Sequence, residues 1–355
     1  MLEMKSWRIA ALVILGMTCL CHARAATTGR RQPNIIYIML DDAGYGDFGA
    51  FGSPYVKTPH FDRLCAEGMT FTNHYSGSAV CAPTRCVLMT GLHTGHCRRR
   101  DNTAKALTQE LSKKNGRPLV FLEDSDVTVA EALQDAGYFT AGVGKWGLGN
   151  PGSAGVPEKQ GFDYWYGYLD QVHAHDHFPD EIWDGGKMVS VPGNQNKKKE
   201  TYIPYEQERK TLELICQNKS RPFFLYVAVT PPHGAYIIPE TDPAFAMYEG
   251  IPGSKQVQHY AAMITRTDQM VGKILDTLSE LHLDEDTIIF YTSDNGPNAP
   301  FAKAIDSAGG LRGTKRLLYE GGIRAAMAAR WPGHIPAGKK SSFIWDMRDV
   351  FPSLC

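Results

Sequence analysis

A cysteine followed two residues later by proline, Cys81-Ala82-Pro83-Thr84-Arg85, is placed to do chemistry at the start of a helix. Pro83 suits the first helical turn, where its missing N–H would have no partner anyway. Cys81 then sits at or just before the helix N-terminus, where free N–H groups and the positive dipole end favour anions. Two acidic or amide pairs, Asp41-Asp42 and Asp294-Asn295, offer the hard oxygen donors that a cation such as Ca²⁺ takes. Taken singly, such a pair caps a helix or closes a turn as readily as it binds metal. His233 follows Pro231-Pro232, and three more histidines fall close together at His173, His175 and His177. An imidazole titrates near neutrality and can give or take a proton.

The elements that must position these groups are legible from hydrophobic patterning. Asn34 to Leu40 (NIIYIML) is a β-branched and apolar run that stops at Asp41-Asp42. Such a run predicts a strand buried on both faces of a parallel sheet. Phe223 to Val229 and Thr287 to Thr292 repeat the pattern, the first running into Pro231-Pro232-His233 and the second into Asp294-Asn295. In open α/β sheets, ligands bind beyond the C-terminal ends of the strands, so distant residues can converge there. Pro59 to Glu67 predicts a helix, with Thr58 as N-cap and Gly68 as stop. Val127 to Asp135 predicts another, followed by a strand over Tyr138 to Val143. Tyr260, Met263, Ile264, Met270, Val271, Ile274, Leu275 and Leu278 recur at the spacing of a long amphipathic helix. Strands alternating with helices point to an α/β fold, a mostly parallel sheet with helices on both faces. Arg98 to Lys114 and Lys187 to Glu200 read as surface loops.

Lys plus Arg is 37 and Asp plus Glu is 38, a formal net charge of -1, so no global basic field exists to hold nucleic acid. The first 25 residues read as a secretory signal: Lys5 and Arg8, an apolar core from Ile9 to Leu20, then Ala23-Arg24-Ala25. That core is shorter than the roughly 20 residues a bilayer span needs. The expectation is an exported chain, secreted or periplasmic, with no stable membrane span. Six cysteines follow the signal, with no CxxC pair and no zinc-module spacing, and their spacings assign no disulfide.

The string Cys81-Ala82-Pro83-Thr84-Arg85 with Leu88, Thr90 and Gly91 resembles the signature of the type I sulfatases, within the alkaline phosphatase superfamily. The resemblance runs from about Asn34 to the last residue and includes Gly144-Lys145-Trp146, Lys315 and Tyr319-Glu320-Gly321-Gly322. It implies an alkaline phosphatase-like catalytic domain over residues 30–355. It also implies that Cys81 is oxidised to formylglycine by a sulfatase-maturing enzyme. The hydrated aldehyde is a gem-diol: one hydroxyl attacks sulfur and the second expels sulfate as the aldehyde re-forms, covalent catalysis with its own exit. Asp41, Asp42, Asp294 and Asn295 would bind one calcium ion together with residue 81. Arg85, Lys145 and Lys315 would hold the sulfate charge, and His233 would protonate the leaving oxygen. Many relatives carry a histidine where this chain has Gly147, in Gly144-Lys145-Trp146-Gly147-Leu148-Gly149. His175 is the expected replacement, and Gly147 leaves space for a bulkier substrate.

Relatives continue beyond the equivalent of Cys355 into a smaller C-terminal subdomain, so the chain reads as C-terminally truncated. The implied substrate is a sulfated small molecule or glycan. The aromatic stretch Phe162 to Tyr168 either lines a sugar cleft or packs the core. Two alternatives stand beside sulfate ester hydrolysis. One is a phosphodiesterase or phosphonate monoester hydrolase of the same superfamily, the other an inactive protein that binds sulfated glycans.

Overall fold

The computed structural model describes residues 32–102 and 120–355; the predicted signal and part of the charged stretch from Arg98 lie outside them. Strand β1 (Asn34–Leu40) is buried along its whole length, as its composition requires. It pairs in parallel with β8 (Phe223–Ala228) on one side and β9 (Thr287–Ser293) on the other. β4 (Phe139–Lys145) pairs in parallel with β8, and β5 (Tyr164–Tyr168) with β4. Antiparallel edges extend this centre. β6 (Glu181–Asp184) and β7 (Lys187–Ser190) follow β5, so Lys187 to Ser190 is a hairpin strand rather than the expected loop. Its mix of exposed and half-buried residues hid it. Across the sheet, β10 (Met327–Arg330) runs antiparallel to β9 and to β2 (Met69–Phe71), with β11 (Lys339–Ser341) beyond. A two-stranded sheet joins β3 (His74–Tyr75) to β12 (Trp345–Asp346).

Two hydrophobic cores flank the sheet. Alternate residues of β1 serve one or the other: Ile36, Ile38 and Leu40 on one face, Ile35, Tyr37 and Met39 on the opposite one. The first face is covered by helices α1 (Pro59–Glu67), α4 (Ile203–Asn218) and α5 (Lys255–Glu280). The second is covered by α2 (Cys81–Thr90) and α3 (Val129–Asp135). Thr128 caps α3 reciprocally with Glu131, which fixes its start just inside the expected one. In α1 the expected cap is different: Thr58 makes no cap bond, and Asp268 of α5 accepts the His60 and Phe61 N–H groups instead. The aromatic stretch is core, not cleft. Phe162 and Trp165 pack at 5.2 Å and Trp165 against Trp146 at 5.1 Å, all fully buried. All six described cysteines are thiols.

Candidate active site

Helix α2 presents Cys81 as its first residue and is buried through Met89. Its orphan N–H groups are partly met from outside, the Ala82 N–H donating to Asn102 Oδ1 at 2.8 Å. Arg85 lies one turn on, on the same face as Cys81. The ends of β9, β1, β8 and β4 lie side by side, so Asp294, Asp41, His233 and Lys145 meet above the start of α2. Cys81 Sγ is 3.2 Å from Asp41 Oδ1, 4.0 Å from Asp42 Oδ1 and 3.4 Å from Lys315 Nζ.

Carboxylates and cations interlock around that sulfur. Lys145 Nζ donates to Asp41 Oδ2 at 2.6 Å, and Lys315 Nζ to Asp42 Oδ1 at 2.5 Å. Arg85 reaches Asp294 Oδ2 at 3.0 Å and the Lys145 carbonyl at 2.5 Å. Burial opposes ionisation of Asp41, yet Lys145, His233 and Arg85 together hold its carboxyl well below the usual range. Asp294 goes the other way, pushed up to about 7 by burial and by Asp41. Burial, then Asp41, pushes the Cys81 thiol up to about 12, so the side chain is a poor thiolate as it stands. His233 Nε2 is 3.7 Å from Asp42 Oδ2; burial pushes it down to about 3 even though Asp41 favours its charged form.

The donor set suits a hard cation. Ligand atoms of Asp41, Asp42, Cys81 and His233 all lie within 4.8 Å of one another. Asn295 donates through Nδ2 to Asp42 Oδ1 at 2.8 Å, which leaves its Oδ1 buried with no hydrogen-bond partner among the described residues. A buried amide oxygen without a partner, on the side chain that meets Asp42, is a donor that an oxygen-seeking ion completes.

The Sulfatase profile matches residues 33–355. The chain belongs to the sulfatase family. It is 33% identical over 346 residues to human N-acetylgalactosamine-6-sulfatase, covering 92% of this chain and 62% of that protein. Against human arylsulfatase A the identity is 32%, over 91% of this chain and 64% of that one. The chain thus spans somewhat under two thirds of the length of these curated relatives. Among solved structures it resembles Ps i-CgsB in complex with k-i-k-neocarrahexaose, with a TM-score of 0.79 and 28% identity, over 91% of this chain and 71% of that one. The sheet and flanking helices are those of the alkaline phosphatase-like sulfatase fold.

Asp41, Asp42, Cys81, Arg85, Lys145, His175, His233, Asp294, Asn295 and Lys315 of this sulfatase sequence all reach the cluster, though not all in one role. Asp294 commits both oxygens, to Arg85 and to the Asp42 N–H (3.1 Å), while His233 stands nearer the other ligand atoms. His175 packs its ring edge-on to His233, with centroids 4.3 Å apart, and feels Lys145 and Asp41. The neighbouring histidines separate by function. His177 is buried and its Nε2 meets the His233 carbonyl at 3.1 Å, bracing that loop, while His173 packs against Tyr168. Gly147 does not open room. Its backbone is left-handed, and a Cβ there would fall 1.8 Å from Gln171 Nε2, so Gln171 fills the space. Asn298 went unnoticed in the sequence; its Nδ2 donates to Asp42 Oδ2 at 2.9 Å. The polar run Ser293-Asp294-Asn295-Gly296-Pro297-Asn298 after a buried strand was the available signal.

Proposed function

We propose that this chain hydrolyses sulfate esters, using residue 81 as formylglycine and one calcium ion. The carrying observation is the geometry: Cys81 Sγ, at the start of α2, lies 3.2 Å from Asp41 and 3.4 Å from Lys315, inside a buried cluster with Asp42, Asp294, Arg85 and Lys145. A cysteine acting as thiolate would need its pKa lowered, so the position makes chemical sense as an oxygen nucleophile. Its burial supports modification by a maturing enzyme before the fold closes over it. Asp41, Asp42, Asn295 and residue 81 would hold the calcium, with Asp294 joining through a lone pair that its bonds to Arg85 and the Asp42 N–H leave free; the ion would supply positive charge to the sulfate oxygens and favour a deprotonated hydroxyl. Arg85, Lys145 and Lys315 orient the sulfate and neutralise charge as it develops. We read residues 1–25 as a signal peptide and the protein as secreted or periplasmic. Among the described residues no helix is long and apolar enough to cross a membrane. Names of relatives include an N-acetylgalactosamine-6-sulfatase and a structure holding a neocarrahexaose, which favours a sulfated carbohydrate as substrate.

The test uses the full chain produced with a formylglycine-generating enzyme. Mass spectrometry verifies residue 81, and sulfate release is measured from an aryl sulfate and from a sulfated hexosamine. Release of sulfate, with the matching aryl phosphate turned over far more slowly, is the expected result. A converted residue 81 with no sulfate released from either would sink the reading and leave glycan binding.

His233 is held neutral by its burial, with Lys145 and Lys315 adding to that effect, and the negative charge of a bound sulfate ester favours its protonated form. It then serves as general acid at the leaving oxygen, with His175 beside it. His233→Ala should lower kcat about 10²- to 10⁴-fold on a sugar sulfate, whose alkoxide leaves poorly. On a nitrophenyl sulfate, whose leaving group needs no proton, the loss should be much smaller. Equal losses on both would remove His233 from that role.

A further inference from the structure

Asp42 is a non-glycine residue in the left-handed region, with φ 72°, just beyond the end of a buried strand. Such a conformation persists only where the surroundings over-determine it. Its side chain is occupied by the cluster, so its backbone must be held from elsewhere. On one side the Asp42 N–H donates to Asp294. On the other, the Tyr260 hydroxyl of α5 lies 3.1 Å from the Asp42 carbonyl oxygen.

Tyr260 is itself held tightly. Its ring stacks on Phe301 with centroids 3.9 Å apart and planes within 7°. Its oxygen is 2.5 Å from Asp47 Oδ2 and 3.0 Å from Ser307 Oγ. Ser307 donates to the same carboxylate oxygen at 2.6 Å, and so does the Gly44 N–H at 2.6 Å. The Gly46 N–H reaches the Ser307 carbonyl at 2.9 Å, and a Cβ on Gly44 would strike that carbonyl at 2.0 Å. Asp47 is fully buried, and no cation lies within ion-pair distance among the described residues. All of the contacts to Asp47 fall on Oδ2, while Oδ1 is buried with no hydrogen-bond partner among the described residues, and burial raises the carboxyl to about 7 against the hydrogen bonds from Ser307, Tyr260 and Gly44. With Ser307 and the Gly44 N–H donating to Asp47 Oδ2, the single Tyr260 hydroxyl hydrogen is shared between that oxygen at 2.5 Å and the Asp42 carbonyl at 3.1 Å, which joins the segment from Asp42 to Asp47, the long helix and the loop at Ser307 into one corner.

We propose that Asp47, acting through Tyr260 and Ser307, is a positioning residue that fixes the backbone of Asp42 and so sets the affinity of the site for its cation. This rests on the calcium reading given above. Groups that orient a metal ligand typically change affinity about 10- to 100-fold when removed.

The test is calcium titration calorimetry on metal-stripped full chain, with thermal melts in chelator alongside. Tyr260→Phe deletes the hydroxyl and keeps the stack on Phe301. Tyr205→Phe is the control, since it deletes a hydroxyl that donates to Asp242 Oδ2 at 2.6 Å outside the cluster. The expected result is a calcium Kd weakened at least about tenfold in Tyr260→Phe and unchanged in Tyr205→Phe. Ser307→Ala should weaken it in the same direction. A wild-type Kd in Tyr260→Phe, or equal weakening in both tyrosine variants, overturns the proposal. Wild-type protein that releases sulfate yet binds no calcium overturns the calcium reading and this inference with it.

Discussion

Cys81→Ala is expected to lower kcat/KM on every sulfate ester by at least about 10⁴-fold, because it removes the nucleophile and leaves only binding and charge stabilisation. The fold should survive. Cys81 is the first residue of α2, where alanine is a small change, and the ion pairs Lys145–Asp41 and Lys315–Asp42 do not pass through the sulfur. Cys81→Ser is the more informative variant. Serine keeps one hydroxyl in the same pocket but lacks the second that would expel sulfate. It should therefore release about one equivalent of alcohol per chain and then stop, with the sulfate retained on the protein. Rapid-quench measurement of the alcohol and mass spectrometry of the peptide that carries residue 81 check both halves. Steady turnover by the serine variant would mean that water, not a second hydroxyl, breaks the intermediate.

How far the site could be read from sequence depended on the kind of signal each residue carries. Asp41-Asp42 and Asp294-Asn295 follow buried strands whose composition is unmistakable, and adjacent parallel strands bring their ends together. Cys81 and Arg85 share one helix face by spacing alone. The helix cap at Asp268 was not legible, since it comes from 207 residues away along the chain. The same holds for Asn298 and for Gln171, which fills the space above Gly147. A missing side chain in a motif says that something else occupies or vacates its place, and only packing says which. The aromatic run Phe162 to Tyr168 shows the converse. Its composition fits both a sugar platform and a core strand, and alternate burial on the two sides of β5 decides for the core.

Asp41→Asn separates charge from shape at the centre of the cluster. The amide is nearly isosteric, so packing around β1 is kept, but Asp41 is the carboxylate that meets Cys81, Lys145 and Arg85 together. Removing its charge leaves the buried Lys145 ammonium without its nearest counter-ion. Breaking one partner of a buried pair destabilises by about 3–5 kcal/mol when nothing replaces it. Part of that is recovered here, because Lys145 can give up its proton once Asp41 no longer raises its pKa. A neutral Lys145 cannot stabilise sulfate charge, and the cation loses a charged ligand at the same time. Two of the terms that lower the barrier are thus weakened by one atom change, and losses of about 10²- to 10³-fold for each are ordinary. The expected result is a fall in kcat/KM of about 10³-fold or more and a much weaker calcium Kd, while the melting temperature in chelator drops only modestly. Raising calcium in the assay should recover part of the activity but not all, since no amount of metal restores the lost charge beside Lys145. Full recovery at high calcium would assign Asp41 to the metal alone.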